Sequence, residues 1–482
     1  MTDKPIIVWF RRDLRLADHA ALSAAIEAGA SVVPTYVLDD AAAGTWRAGA
    51  ASRWWLHHSL ASLKGSIEAL GSKLVLRRGD TAEVLAALAR ETGAAAVYCS
   101  RGYEPFAQQL ERDVRAKLGA LDVGLKRFAG TLLHEPDHLK TQAGSPFKVY
   151  TPFWRALRSG IKVPRALPAP DRIPLPRKEP KSERLEAWEL LPKKPDWAGG
   201  IREAWIPGEA GAQERLSAFL SDGLADYADE RNRPDREGTS RLSPHLAFGE
   251  ISPRQCWLQA GHFASRHPRA DNGHETFLKE LVWREFSAHL LFHWPNLPDE
   301  PFRSEFADFP WRKNVHHLKA WQRGLTGYPI VDAGMRELWT TGWMHNRVRM
   351  IVASFLIKDL MLPWQEGEAW FWDTLVDADL ANNAASWQWV AGSGADAAPY
   401  FRIFNPVTQG EKFDPEGDYV RRWVPELAKL PAKAIHAPWL AAASVLVAAD
   451  VRIGSTYPVP IVDHAEARMA ALAAFKGLKD KP

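Results

Sequence analysis

At 482 residues the chain exceeds what one hydrophobic core ordinarily serves and calls for at least two domains, while a formal charge of only +3 restricts any nucleic-acid site to a local patch. No apolar run approaches the ~20 residues that cross a bilayer, and the opening MTDKPIIVWF lacks the charged head, long apolar stretch and cleavage site of a secretory leader; membrane and secreted roles are set aside and a cytoplasmic location is expected. Cys99 and Cys256 provide neither a disulfide framework nor a metal cluster, so no metal is expected, whereas tryptophan outnumbers tyrosine 22 to 9, which directs attention to stacking or redox chemistry.

From Ile6 to about Phe128 apolar strand-like runs alternate with helical segments: IIVWF, a helix over Ala20–Ala28, VVPTYVL, a helix over Trp54–Leu70, KLVL, a helix over Thr81–Thr92, and AAVYC. That order predicts a Rossmann-like parallel sheet with crossover helices. Gly-x-Gly-x-x-Gly does not follow the first strand, so a ligand there is held by some other device. The stretch 163–180 carries six prolines, which forbid a continuous helix and predict a connector lying across the surface. From about Gly208 the pattern is helical almost throughout, as in HETFLKELVWREFSAHLLF and MHNRVRMIVASFLIKDLML, with apolar residues at spacings of three and four. The expected organisation is an α/β unit over 1–131, a connector over 132–205 and an all-α unit over 206–482.

Several groups can carry chemistry. The small and hydroxyl-bearing run Gly238–Ser243 can donate to phosphate, and taken alone is as well explained as a helix cap. Glu280, Trp283 and Arg284 share one helical face, as do Asn346, Arg349 and Met350. From spacing alone the first set reads as a surface ion pair over a buried Trp, and Met350 as core. Asn383 in the ANNA stretch reads as a turn or cap residue, and Arg231, Arg347, Arg402 and Lys412 as solvated charges.

A family resemblance changes these readings. WFRRDLRLAD at Trp9–Asp18, EGTSRLSPHLAFGEISPRQC at Glu237–Cys256, TGYPIVDAGMRELWTTGWMHNRVRM at Thr326–Met350, and the block from Asp377 to Pro415 together resemble the photolyase/cryptochrome family over nearly the whole chain. The resemblance implies a flavin adenine dinucleotide (FAD) in the helical unit and a light-harvesting antenna on the α/β unit. It assigns flavin contacts to Tyr227, Thr239, Ser240, Arg241, Leu242, Ser243, Arg284, Asn346, Arg349, Asp377, Asp379 and Asn383. Arg349 is expected to pair with Asp377, and Asn383 to face flavin N5, where plant cryptochromes place an acid. Glu280, Trp283, Asn346, Met350 and Trp389 are expected to meet a flipped pyrimidine dimer, with Arg231, Arg347, Arg402 and Lys412 on the DNA rim. Trp387, Trp364 and Trp311 match the family's electron-carrying tryptophans.

The implied activity is light-driven repair of cyclobutane pyrimidine dimers in ultraviolet-damaged DNA by a monomer. Asn383, and the close of the chain soon after ALAAFKGLKDK, are expected of a repair enzyme rather than a cryptochrome photoreceptor. A (6-4) photolyase, whose pocket uses paired histidines, is opposed by His345 being followed by Asn346. An unrelated nucleotide-binding transferase would leave the helical blocks unexplained. LANNAASWQWV and GSGADAAP resemble the bacterial dimer photolyases nearest to plant cryptochromes. The expected antenna is 5,10-methenyltetrahydrofolate, with 8-hydroxy-5-deazaflavin in reserve; its individual contacts are not assigned, because RGYEPFAQQ at Arg101–Gln109 departs from the expected folate-contacting segment.

Overall fold

Side-chain alternation decides the first unit. In β1 (Ile6–Phe10) every residue is buried; Ile6, Val8 and Phe10 enter the core on one face of the sheet, and Ile7 and Trp9 that on the other, as expected of a strand covered on both sides. The computed structural model describes residues 4–396 and 401–479, so Ala397–Pro399 of the GSGADAAP stretch lie outside the described residues. It pairs β1 in parallel with β2 (Val32–Leu38) and with β4 (Ala96–Ser100), while β3 (Val75–Arg78) extends the sheet beyond β2 and β5 (Gly124–Phe128) beyond β4. Crossovers are made by α1 (Ala20–Glu27), α2 (Ala50–Ala69), α3 (Thr81–Thr92) and α4 (Pro105–Gly119). The order β3-β2-β1-β4-β5 puts the reversal between β1 and β4, and the loops leaving these two strands open there.

Sequence periodicity missed α4 and β5. β5 is an edge strand whose GLKRF residues are all at least partly exposed, so no apolar alternation announces it. β3 begins at Val75 rather than Lys73, where its pairing with Thr35 of β2 starts.

The stretch expected to cross the surface also supplies core. It holds α5 (Tyr150–Gly160), with Tyr150, Phe153 and Leu157 buried. The proline-rich segment then follows the α/β unit, where Pro174 accepts from Val32 N and Ile173 donates to Leu70 O. Ile173, Leu185 and Trp188 join the core under one face of the sheet.

The helical unit is built around α6 (Ser243–Phe248), α7 (Asp271–His293), α8 (Pro329–Thr341), α9 (Asn346–Ser354), α10 (Trp364–Thr374) and α11 (Leu380–Ala391). Val348, Ile351 and Val352 of α9 share a core with Trp364 and Phe371 of α10 and Trp387 of α11. Among the described residues no helix is long and apolar enough to cross a membrane, and no cluster of three metal-capable side chains occurs.

The Trp9–Asp18 segment ties the two units together. Arg12 donates to Ala247 O and to Ala378 O, each at 2.8 Å. Arg15, buried, donates to Gly249 O at 2.9 Å, Asp18 O at 2.8 Å and Gly130 O at 3.0 Å. A Cβ at Gly249, where φ is +67°, would lie 2.0 Å from the Arg12 carbonyl oxygen, so the approach of the two backbones there requires glycine.

Candidate functional site

A cavity of about 550 Å³ opens in the helical unit. The one-face spacing read from the sequence holds in three dimensions. α7 presents Glu280, Trp283 and Arg284 to it, α9 presents Asn346, Arg349 and Met350, and α11 presents Asn383, Trp387 and Trp389. Tyr227, Ser240, Leu242 and Ser243 line it too, as do Asp377 and Asp379 from the turn leading into α11.

Two of the expected flavin contacts stand outside the lining. Thr239 is one. The other, Arg241, takes a left-handed backbone with φ of 51° and sits between the rings of Trp205 and Trp343, 4.8 Å from each centroid. Cation–π attraction holds that charge between two indoles, of which Trp343 lines the cavity. Nor do the hydroxyls of this run cap α6, whose N-cap is Leu242 without a side-chain bond. Ser240 and Ser243 keep their place on the cavity wall, Ser243 Oγ accepting from Trp343 Nε1 at 3.2 Å.

The charges are arranged in pairs. Arg349 Nη2 donates to Asp377 Oδ2 at 2.7 Å and its Nε to Met344 O at 2.8 Å. Asp377 is buried, and its other oxygen, Oδ1, has no partner among the described residues. A buried carboxylate oxygen left so is costly unless a ligand supplies a donor. Arg284 Nη1 donates to Thr131 O at 3.0 Å, so a cavity cation is anchored to the segment arriving from the α/β unit. Glu280 is held by Arg231 at 2.7 Å. Burial pushes the Glu280 carboxyl up from its ordinary value, against the pull of Arg231.

Asn383 lies inside α11, neither at a cap nor in a turn. Its Nδ2 donates to the Glu368 backbone carbonyl of α10 at 3.0 Å, which fixes the amide. The Glu368 carboxyl is buried with neither oxygen partnered among the described residues, and burial raises it well above the usual carboxylate range. Burial therefore favours the uncharged form of the Glu368 side chain.

His345 is spent on the backbone. Its Nδ1 accepts from Arg347 N at the start of α9, and burial pushes its imidazole down to about 3. Among the described residues lining the cavity there is no histidine.

Of the expected tryptophans, Trp387 lines the cavity, while Trp364 and Trp311 lie outside the lining, Trp364 in the same hydrophobic core and Trp311 packed against it. Trp387 packs edge-on against Phe371 at 5.1 Å and Trp321 at 6.3 Å. At the rim, Arg347 bonds Asn232 at 2.7 Å and shares the ring of Phe413 with Lys412, the two cations 4.4 and 5.2 Å from its centroid. Exposed Arg402 stands 4.7 Å from the ring of Phe404. Sequence reasoning did not single out Asn232, Asn382 or Asp396; of these, Asn382 carried a local signal, being the other amide of ANNA.

Two family models match the chain: DNA photolyase over residues 6–171 and the FAD binding domain of DNA photolyase over residues 277–477. A deoxyribodipyrimidine photo-lyase of Agrobacterium fabrum is 53% identical over 475 residues, covering 98% of both chains. Cryptochrome-1 of Arabidopsis thaliana is 40% identical over 480 residues, 96% of this chain and 69% of that one. The crystal structure of a bacterial class III photolyase from Agrobacterium tumefaciens superposes with a TM-score of 0.96 at 52% identity, covering 100% of this chain and 99% of that one. With these likenesses extending over both the sheet and the helical cavity, the chain belongs to the photolyase/cryptochrome family.

Proposed function

We propose that this protein is a deoxyribodipyrimidine photo-lyase that uses light to split cyclobutane pyrimidine dimers in DNA, working through a monomer in the cytoplasm. The observation that carries the reading is the meeting of Glu280, Trp283, Asn346 and Met350 with the neutral amide of Asn383 in one cavity. The α/β unit over 1–131 is the antenna carrier, 206–482 the flavin-binding and catalytic unit, and 132–205 joins them.

The residues present fit FAD. The cavity is large, two serine hydroxyls line it, and the free Asp377 Oδ1 beside Arg349 awaits a donor. Tyr227, Ser240, Leu242, Ser243, Arg284, Asn346, Arg349, Asp377, Asp379 and Asn383 are the residues that would hold it. Bound there and reduced, FAD would supply light-driven electron donation to the cyclobutane ring, with the electron returned and no net oxidation. Asn383 offers an amide that cannot donate a full proton, which suits a site kept for electron donation. Glu280, on the cavity wall one turn from Trp283 and paired with Arg231, is the group we assign to steadying the charge that develops on the pyrimidine carbonyl. Trp283, Trp389 and Met350 offer the flat and apolar surfaces a flipped dimer needs, and flipping costs less where base pairing is already damaged.

Light with reductant should restore thymine dimers in an oligonucleotide to thymines, followed by chromatography of the products. Repair of a (6-4) lesion with dimers left intact would overturn the substrate; flavin binding without any repair would favour a photoreceptor. The absence of histidine from the described lining already weighs against the (6-4) reading.

The antenna we propose is 5,10-methenyltetrahydrofolate, and an absorption spectrum of the purified protein separates it from 8-hydroxy-5-deazaflavin. The DNA rim we assign to Arg231, Arg347, Arg402 and Lys412. Binding to damaged duplex should weaken steeply as salt rises, and Arg347→Ala should flatten the log–log slope by roughly one phosphate contact. An unchanged slope in a binding titration would take Arg347 off the rim.

A further inference from the structure

We propose that Tyr150, delivered from the connector by α5, is a positioning residue that fixes the plane of Trp283 as a wall of the lesion pocket. The inference rests on the reading of Trp283 as that wall. The two rings lie 3.6 Å apart at their centroids with 3° between their planes. Parallel rings this close overlap nearly face to face, a tighter stack than the offset geometry aromatic quadrupoles prefer, and the surroundings hold it.

Those surroundings are on both ends of Tyr150. Its hydroxyl donates to Lys279 O at 2.7 Å, and its backbone N donates to Asp396 Oδ2 at 2.8 Å. Phe286 abuts both rings edge-on, 5.9 Å from each. Tyr150 is 8% exposed and does not line the cavity, whereas Trp283 does. Tyr150 therefore covers one face of the indole and leaves the cavity side to a ligand. The tether matters as much as the stack. Lys279 immediately precedes Glu280, so the hydroxyl bond holds the α7 backbone beside the carboxylate as well as the ring one turn along.

The consequence is selectivity. A pre-set indole plane spares the ordering that a flipped dimer would otherwise impose on it, and undamaged duplex, which stays stacked and meets only the charged rim, gains nothing from it. The test measures dissociation constants of the flavin-loaded full chain for a duplex carrying one thymine dimer and for the same duplex without it. Tyr150→Leu, with Tyr150→Met as a second filler of the same space, should lower the damaged-to-undamaged affinity ratio by about threefold to tenfold, the range an aromatic pair contributes, with flavin content unchanged. Tyr150→Phe, which keeps the ring, should recover most of the ratio. Equal loss for both duplexes, or a ratio unmoved in Leu and Met, overturns the proposal and leaves Tyr150 as packing. Trp283→Ala is the control: if it leaves the ratio intact, the wall reading itself fails and the proposal with it; if it lowers the ratio while the Tyr150 variants do not, only the proposal falls.

Discussion

Trp387→Phe is expected to slow light-driven reduction of the oxidised flavin on the order of tenfold or more, since a barrier raised by only about 1.4 kcal/mol already gives that factor. Trp387 both lines the cavity and belongs to the core that holds Trp364 and against which Trp311 packs, so it is the proposed first stop for an electron arriving from those rings. Phe is much harder to oxidise than Trp yet fills most of the same space, and the packing loss should stay near ~1 kcal/mol. Repair by enzyme already reduced with dithionite should remain close to normal, because that electron does not pass through residue 387. Flash photolysis of the oxidised form and repair turnover of the reduced form must therefore separate. Photoreduction that survives would move the route to Trp321, 6.3 Å from Trp387, or to Trp389 or Trp343. Joint collapse of repair and flavin retention would leave Trp387 a packing residue.

What the sequence made legible follows from the range of the interactions concerned. A helical face is a local property. Glu280, Trp283 and Arg284, or Asn346, Arg349 and Met350, reach one cavity because spacings of three and four turn them the same way. The alternation that marks β1 is local in the same sense. Partners are not. The grip of Arg231 on Glu280, the seating of Arg241 between Trp205 and Trp343, and the reach of Arg12 to Ala378 O each join residues far apart in the chain, and nothing in the neighbouring residues announces them. Arg241 is an instance: its run of hydroxyls and glycine suits a phosphate, and only the fold shows that two indoles brought from elsewhere flank the cation. Tyr150 shows the reverse, a residue in a stretch read as mere connector that lands against the site. His345 falls between, because its bond to Arg347 N is local and typical of a helix start.

Gly367→Ala tests the same region from the other side of the indole. In the interior of a helix this change ordinarily stabilises by up to about 1 kcal/mol, since glycine has more backbone freedom to lose. Here a Cβ on Gly367 would lie 2.1, 2.5 and 2.6 Å from Cη2, Cζ3 and Cζ2 of Trp387. Either the indole or α10 must move, and forcing a methyl into a packed core costs about 1–3 kcal/mol, enough to reverse the propensity gain. The next residue, Glu368, carries the carbonyl that fixes Asn383, so a shift of α10 reaches the cavity as well. The thermal midpoint should fall, and photoreduction should slow with it. The contact predicts a specific coupling, because the three atoms struck belong to the six-membered ring of the indole, and the shorter side chain of Phe retreats from them. Gly367→Ala should then cost at least ~1 kcal/mol less in the Trp387→Phe background than in the parent, the non-additivity expected of residues in direct contact. Melting curves of the four proteins decide it: equal costs in both backgrounds would mean that Trp387 does not rest on the bare backbone of α10, and the steric account of Gly367 would have to be given up.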